Sequence, residues 1–166
     1  MQRDMLATAE LCAARGHEVT VYCHSWKGDR PGGVAVEVLE VSGRANHVRA
    51  ARFDRALQEQ LTAVRPDVVI GFDKMSGLDL YFAADPCFVT RTTSRPWPYR
   101  LLPRYRTFRR LEGTVFGRES KAQILLLDPT ERSNFQRTWC TADERFAVLP
   151  AAIARDRCKG NDAAAL

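Results

Sequence analysis

Asp73 and Lys74 stand directly behind the apolar run Val68-Val-Ile-Gly-Phe72, and Asp85 directly behind Leu80-Tyr-Phe-Ala-Ala84. A short, continuously apolar run is the pattern of a strand buried on both faces of a parallel sheet. Ligands of open α/β sheets collect at the carboxyl ends of strands, so Asp73, Lys74 and Asp85 are candidate ligand-binding residues. The competing reading of Asp73 and Lys74 is a solvated loop ion pair, which contributes little. Asp79, between the two runs, reads as a turn or cap. Asp4 opens the first helical stretch and doubles as a first-turn acid that complements the helix dipole. His17, in a turn, and His24, just past a strand end, read as satisfied loop residues.

Other chemistries lack their residues. The chain contains no GxGxxG, no GxxxxGK[ST] and no HExxH, so dinucleotide-fingerprint, P-loop and zincin readings have no support. Five cysteines (Cys12, Cys23, Cys87, Cys140, Cys158) form no CxxC pair and are odd in number, which argues for reduced thiols. The three histidines show no metal-ligand spacing. No metal and no cofactor are expected.

Charge is concentrated. Nine basic residues lie between Arg91 and Lys121, opposed only by Glu112 and Glu119, so this window is net +7 in a chain that is net +5. Within it Leu101, Tyr105, Phe108, Leu111 and Val115 recur at helical spacing, with Arg106, Arg109 and Arg110 opposite and Pro103 at a first-turn position. Trp97 and Tyr99 precede this helix in a proline-rich lead. The pattern suits an anionic membrane surface met by Trp97, Tyr99, Arg100, Arg104, Arg106, Arg109 and Arg110, with the apolar stripe packed inward. Arginines among aromatics also suit single-stranded nucleic acid, but no nucleic-acid motif supports that partner.

These residues need a scaffold, and 166 residues with 45% hydrophobic and 27% charged content supply one globular domain. Helices are expected from the opening residues to about 15, over 47–64, from 100 onward through 115 and over 130–139, and strands over 18–23, 34–41, 67–72, 80–84, 122–127 and 146–150. The alternation predicts an α/β, Rossmann-like three-layer sandwich around a mostly parallel sheet. Residues 151–166 carry no pattern and read as an irregular tail. No apolar run is long enough to span a membrane, and no signal peptide is visible at Met1-Gln-Arg-Asp4, so a cytoplasmic chain is expected.

Leu11-Cys-Ala-Ala-Arg-Gly-His-Glu-Val-Thr-Val-Tyr22 and Arg65-Pro-Asp-Val-Val-Ile-Gly-Phe72 resemble the acceptor domain of glycosyltransferase family 4, a GT-B fold. Gln2-Arg-Asp4, Gly71-Phe-Asp-Lys-Met-Ser-Gly-Leu-Asp-Leu-Tyr-Phe-Ala-Ala-Asp85, Pro103-Arg-Tyr-Arg106 and Leu111-Glu112 narrow the resemblance to lipopolysaccharide core heptose glucosyltransferases. It covers about residues 1–150. It implies that 1–150 is the acceptor-binding domain, without the family's first strand and without its donor-binding domain. It implies transfer of glucose, with retention, from a UDP-sugar donor to an inner-core heptose of lipopolysaccharide, at the cytoplasmic face of the inner membrane. Asp4 would then face the inter-domain cleft as the catalytic carboxylate, orienting the acceptor hydroxyl or taking its proton, and Asp85 would accept hydrogen bonds from sugar hydroxyls. A nucleotide diphosphate leaving group needs cationic or helix-terminal stabilisation, which the acceptor half does not supply, so the chain alone is expected to be inactive. The alternative is a catalytically inactive remnant that at most binds an anionic membrane surface or the lipid acceptor.

Overall fold

The computed structural model describes residues 2–149; the expected tail over 151–166 lies outside them. Helix α1 (Gln2–Ala14) leads into strands β1 (Val19–Cys23) and β2 (Val34–Val38), followed by α2 (Asn46–Val64). Then come β3 (Ile70–Gly71), β4 (Leu80–Ala83), the single turn α3 (Phe88–Arg91), a 3-10 segment Trp97–Leu101 and α4 (Pro103–Phe116). Strand β5 (Gln123–Leu126), helix α5 (Arg132–Trp139) and strand β6 (Phe146–Val148) complete the described chain. Every strand pair is parallel, and the strands fall into two groups, β1-β2 and β3-β4-β5-β6. This is the α/β, Rossmann-like arrangement expected from the alternation of elements.

Among the described residues β1 pairs only with β2 and β3 only with β4, so each keeps one unpaired edge. That explains a departure from the sequence reading. The run over 67–72 has the composition of a doubly buried strand, yet only Ile70–Gly71 is strand, and Val68 and Ile70 are 61% and 38% exposed. Apolar composition buries a strand only where neighbours exist to cover it.

The core sits between the β4-β5 faces and helices α4 and α5: Tyr81, Ala83, Cys87, Val115, Phe116, Ile124, Leu126 and Phe135, with Leu78, Val89, Trp139 and Phe146 around it. Phe116 and Phe135 stack at 3.7 Å, and Tyr81 meets Phe116 edge-on at 5.6 Å. The apolar stripe of α4 packs inward through Tyr105, Leu111 and Val115, as its spacing predicts, with the flanking Phe116, whereas Leu101, counted in the expected stripe, precedes the helix and is exposed. The first turn of that helix is set by Pro103, whose missing N–H is one the helix would leave unpaired anyway.

Arg145 closes the far end of the core. Its guanidinium donates to the carbonyls of Ala122 (2.9 Å), Gly117 (3.0 Å) and Val115, joining the C-terminus of α4 to the entry of β5. Carbonyls at a helix end otherwise lack partners, and a cation there also complements the dipole. Arg145→Met leaves those buried acceptors unpaired and is expected to lower unfolding stability by about 2–4 kcal/mol, read from chemical denaturation.

Candidate functional site

The carboxyl ends of β3, β4 and β5 each carry an aspartate two residues past the strand: Asp73, Asp85 and Asp128. Ala83 and Leu126 are register partners, so Asp85 and Asp128 occupy equivalent positions on neighbouring strands. Together with Ala83, Ala84, Pro86 and Glu131 they line a cleft of about 140 Å³. A second hollow at the ends of β1 and β2 is lined by His24, Glu40, Val41 and Ser42.

The acids of this region divide by what the protein already asks of them. Asp128 caps its own turn, accepting from Thr130 N (2.9 Å) and Thr130 Oγ1 (2.7 Å), and these bonds hold its carboxyl below the usual range. Glu131 accepts from Cys87 N (2.9 Å) and Asn134 Nδ2 (3.2 Å). Asp79 accepts from Val69 N at 2.8 Å, the capping role its position suggests. Buried Asp54, on α2, accepts from Ser76 N (2.7 Å), Ser76 Oγ (3.2 Å) and Arg110 (3.1 Å), fastening α2 and α4 to the loop behind β3. In that loop Gly77 takes a positive φ of 71°, and a Cβ there would lie 2.8 Å from Gln58 Oε1, so only glycine fits without displacing Gln58. Asp73 and Asp85, both exposed, accept no hydrogen bond within the described residues, so their oxygens face solvent.

Asp73 feels its neighbour Asp85. Although the residue keeps a solvent-exposed face, the protein packed around its carboxyl pushes Asp73 up, Asp85 pushes it further, and His24 and Lys74 pull it back. Beneath them Tyr81 is wholly buried, its hydroxyl has no partner among the described residues, and burial with Asp85, Asp73 and Glu112 nearby drives its acidity far down. His24 stands edge-on to Phe53 at 6.4 Å. The structure thus brings Asp73, Asp85 and His24 to one end of the strands. Asp4 lies on the exposed first turn of α1, where its carbonyl accepts from Thr8 Oγ1, and it is not among the charges that shift Asp73.

Lys74 points inward. Its ammonium donates to Glu112 Oε1 (2.6 Å) and to the Pro86 carbonyl (3.2 Å). Glu112 is fully buried and also accepts from Phe88 N (2.7 Å), Val89 N (3.2 Å), Trp139 Nε1 (3.1 Å) and the Cys87 thiol (3.6 Å). Burial and Glu112 hold that thiol protonated, as a donor. Sequence reading took Glu112 as a charge opposing the basic window and as part of the family resemblance, and assigned it no partner. The signal lay in the helical period, which sets Glu112 on the same face as Phe108, Val115 and Phe116.

The basic region divides likewise. Trp97 and Leu101 are 72% and 63% exposed, and Leu102, Arg95, Arg100, Arg104 and Arg106 are exposed beside them. Tyr99 instead packs half-buried against Tyr105 at 5.7 Å, with Arg95 over its ring. Arg104 lies over Phe108, Arg109 over Trp139, and Arg110 pairs with Asp54, although all three remain exposed. Among the described residues no helix is long and apolar enough to cross a membrane, and no group of three metal-ligating side chains gathers.

Comparison with known proteins bears on this arrangement. A family model described as Glycosyltransferase Family 4 matches residues 1–157. The lipopolysaccharide glucosyltransferase WaaG of Escherichia coli (strain K12) is 37% identical over 158 residues, 95% of this chain and 42% of that protein. The crystal structure of WaaG, described as a glycosyltransferase involved in lipopolysaccharide biosynthesis, superimposes with a TM-score of 0.90 at 38% identity, over 94% of this chain and 42% of that one. The chain therefore spans about two-fifths of the length of these relatives.

The raised carboxyl of Asp73 makes stability depend on pH. As pH climbs from about 4, the unfolded chain gives up the proton first, so the native state loses ground until Asp73 itself ionises. Asp73→Asn is expected to raise the denaturation midpoint at pH 7 and to leave it unchanged near pH 3. Unfolding curves at the two pH values check this.

Proposed function

This chain belongs to glycosyltransferase family 4, and from that premise we propose that it is the acceptor-binding half of a retaining glucosyltransferase of lipopolysaccharide core biosynthesis. The observation that carries the reading is the pair Asp73 and Asp85, at the carboxyl ends of adjacent parallel strands, with oxygens that no described residue occupies. A sugar offers many hydroxyl donors, and unpaired carboxylates at the end of a parallel sheet suit them. The acceptor is an inner-core heptose, and UDP-glucose is the donor. Asp4 takes the catalytic part, orienting the acceptor hydroxyl or receiving its proton. Lys74 serves this site through Glu112 rather than by touching sugar, since its ammonium is already engaged.

The lipid-anchored acceptor implies work at a membrane, and the exposed Trp97, Leu101 and Leu102 among Arg95, Arg100 and Arg104 support a peripheral, cytoplasmic-face association. Each arginine near an anionic surface contributes about 1 kcal/mol, while the aromatic settles at headgroup depth. Tyr99 and Arg110 contribute less, because Tyr99 packs half-buried on Tyr105 and Arg110 is ion-paired with Asp54.

The chain is expected to bind a heptose-containing inner-core oligosaccharide in calorimetric titration, and Asp85→Asn to weaken it by about tenfold, the value of one charge-assisted hydrogen bond. No saturable binding overturns the acceptor reading, and UDP release from UDP-glucose by this chain alone overturns its being only a half-site. In vesicle flotation the chain is expected to rise with anionic and not with neutral liposomes, and Trp97→Ala with Arg100→Glu and Arg104→Glu to abolish flotation. Equal flotation with neutral vesicles, or none at all, sinks the membrane surface.

A further inference from the structure

We propose that Lys74 and Glu112 are positioning residues for Asp73 and Asp85: one buried ion pair ties the loop behind β3 to the loop behind β4 and so sets the spacing of the two ligand-facing carboxylates. The proposal rests on the reading of those carboxylates as acceptor-facing groups.

The connectivity carries it. Lys74 follows Asp73 directly, and Pro86 follows Asp85 directly. The Lys74 ammonium bonds Glu112 at 2.6 Å and the Pro86 carbonyl at 3.2 Å, so a single cation reaches from the chain beside one aspartate to the chain beside the other. Glu112 completes the tie, because its oxygens also accept from Cys87, Phe88 and Val89, the three residues that follow Pro86. The ammonium lies 5.8 Å from the ring centroids of both Phe116 and Phe135, enclosed by core aromatics.

Stability does not account for such a pair. Taking two charges out of water is costly, and well-packed apolar residues of similar volume often hold a fold as well or better. What an ion pair held by four further donors on Glu112 and a carbonyl acceptor on Lys74 supplies is a fixed distance. A fixed distance is needed where two like charges face each other. Asp73 is confronted by Asp85, with His24 and Lys74 as its cationic neighbours and the Tyr81 phenol beneath both acids. Left to their loops, the carboxylates would relax apart, and the joint grip on a ligand's hydroxyls would go with them.

The test is a titration cycle on this chain, with aspartate side-chain carbons followed by NMR. In the native background Asp85→Asn is expected to lower the Asp73 midpoint, since a like charge leaves. In the Lys74→Met/Glu112→Gln background, where net charge is unchanged, the same substitution is expected to move Asp73 less than about half as far. An undiminished shift overturns the proposal, because a purely structural pair would lower the melting temperature without altering this coupling. If the double variant does not fold, Glu112→Asp, which keeps the charge and shortens the strut by one methylene, is expected to weaken the coupling in the same direction, and unchanged coupling there overturns it equally. Oligosaccharide binding measured alongside separates the two readings: lost coupling without acceptor binding by the native chain removes the acceptor role and leaves the positioning role standing.

Discussion

A carboxylate with no access to water must find a donor for each of its lone pairs inside the protein, and Glu112 draws five donors from three segments of chain. Lys74 comes from the loop behind β3, Cys87, Phe88 and Val89 from the start of α3, and Trp139 from the end of α5. An unsatisfied buried charge costs several kcal/mol, so none of these segments is free to move without the others. The short helix α3 owes its first turn to this arrangement, since its first free N–H groups point at a negative charge.

From that anchor the site follows. The strands fix where Asp73 and Asp85 emerge, and the loops that carry them are held from below by Lys74 and from the side by Asp54, through Ser76 and Arg110. Asp54, Asp79, Glu112, Asp128 and Glu131 are consumed as caps and ties. The arrangement therefore separates acids that build the protein from acids that stay available, and only the second kind suits a polyhydroxyl ligand.

The elements were largely legible in the sequence because periodicity writes them directly: 3.6 for α2 and α4, continuous apolar runs for β4 and β5. The family signature over about residues 1–150 was legible too. The exposure of Val68 and Ile70 was not, because composition reports what a strand is made of and not who stands beside it. Glu112 and Asp54 escaped for a related reason. Both are charged, and a charged residue reads as solvent-facing until a second element across the fold supplies its partner, 38 residues away for Lys74 and 22 for Ser76. Trp97 was placed outside by its proline-rich lead, whereas Tyr99, two residues on, turns back onto Tyr105.

The division of the strands into two groups has a dynamic meaning. No backbone ladder joins β1-β2 to β3-β4-β5-β6 among the described residues, so the cooperativity that hydrogen bonding lends a continuous sheet stops at that boundary. The large aromatic core lies wholly on the four-stranded side, while the two-stranded side is held chiefly by α1 and by the packing of Val34 and Val36. The amide protons of β1 and β2 are accordingly expected to exchange with solvent through an opening that leaves β4 and β5 closed, which divides the molecule into a softer and a firmer part.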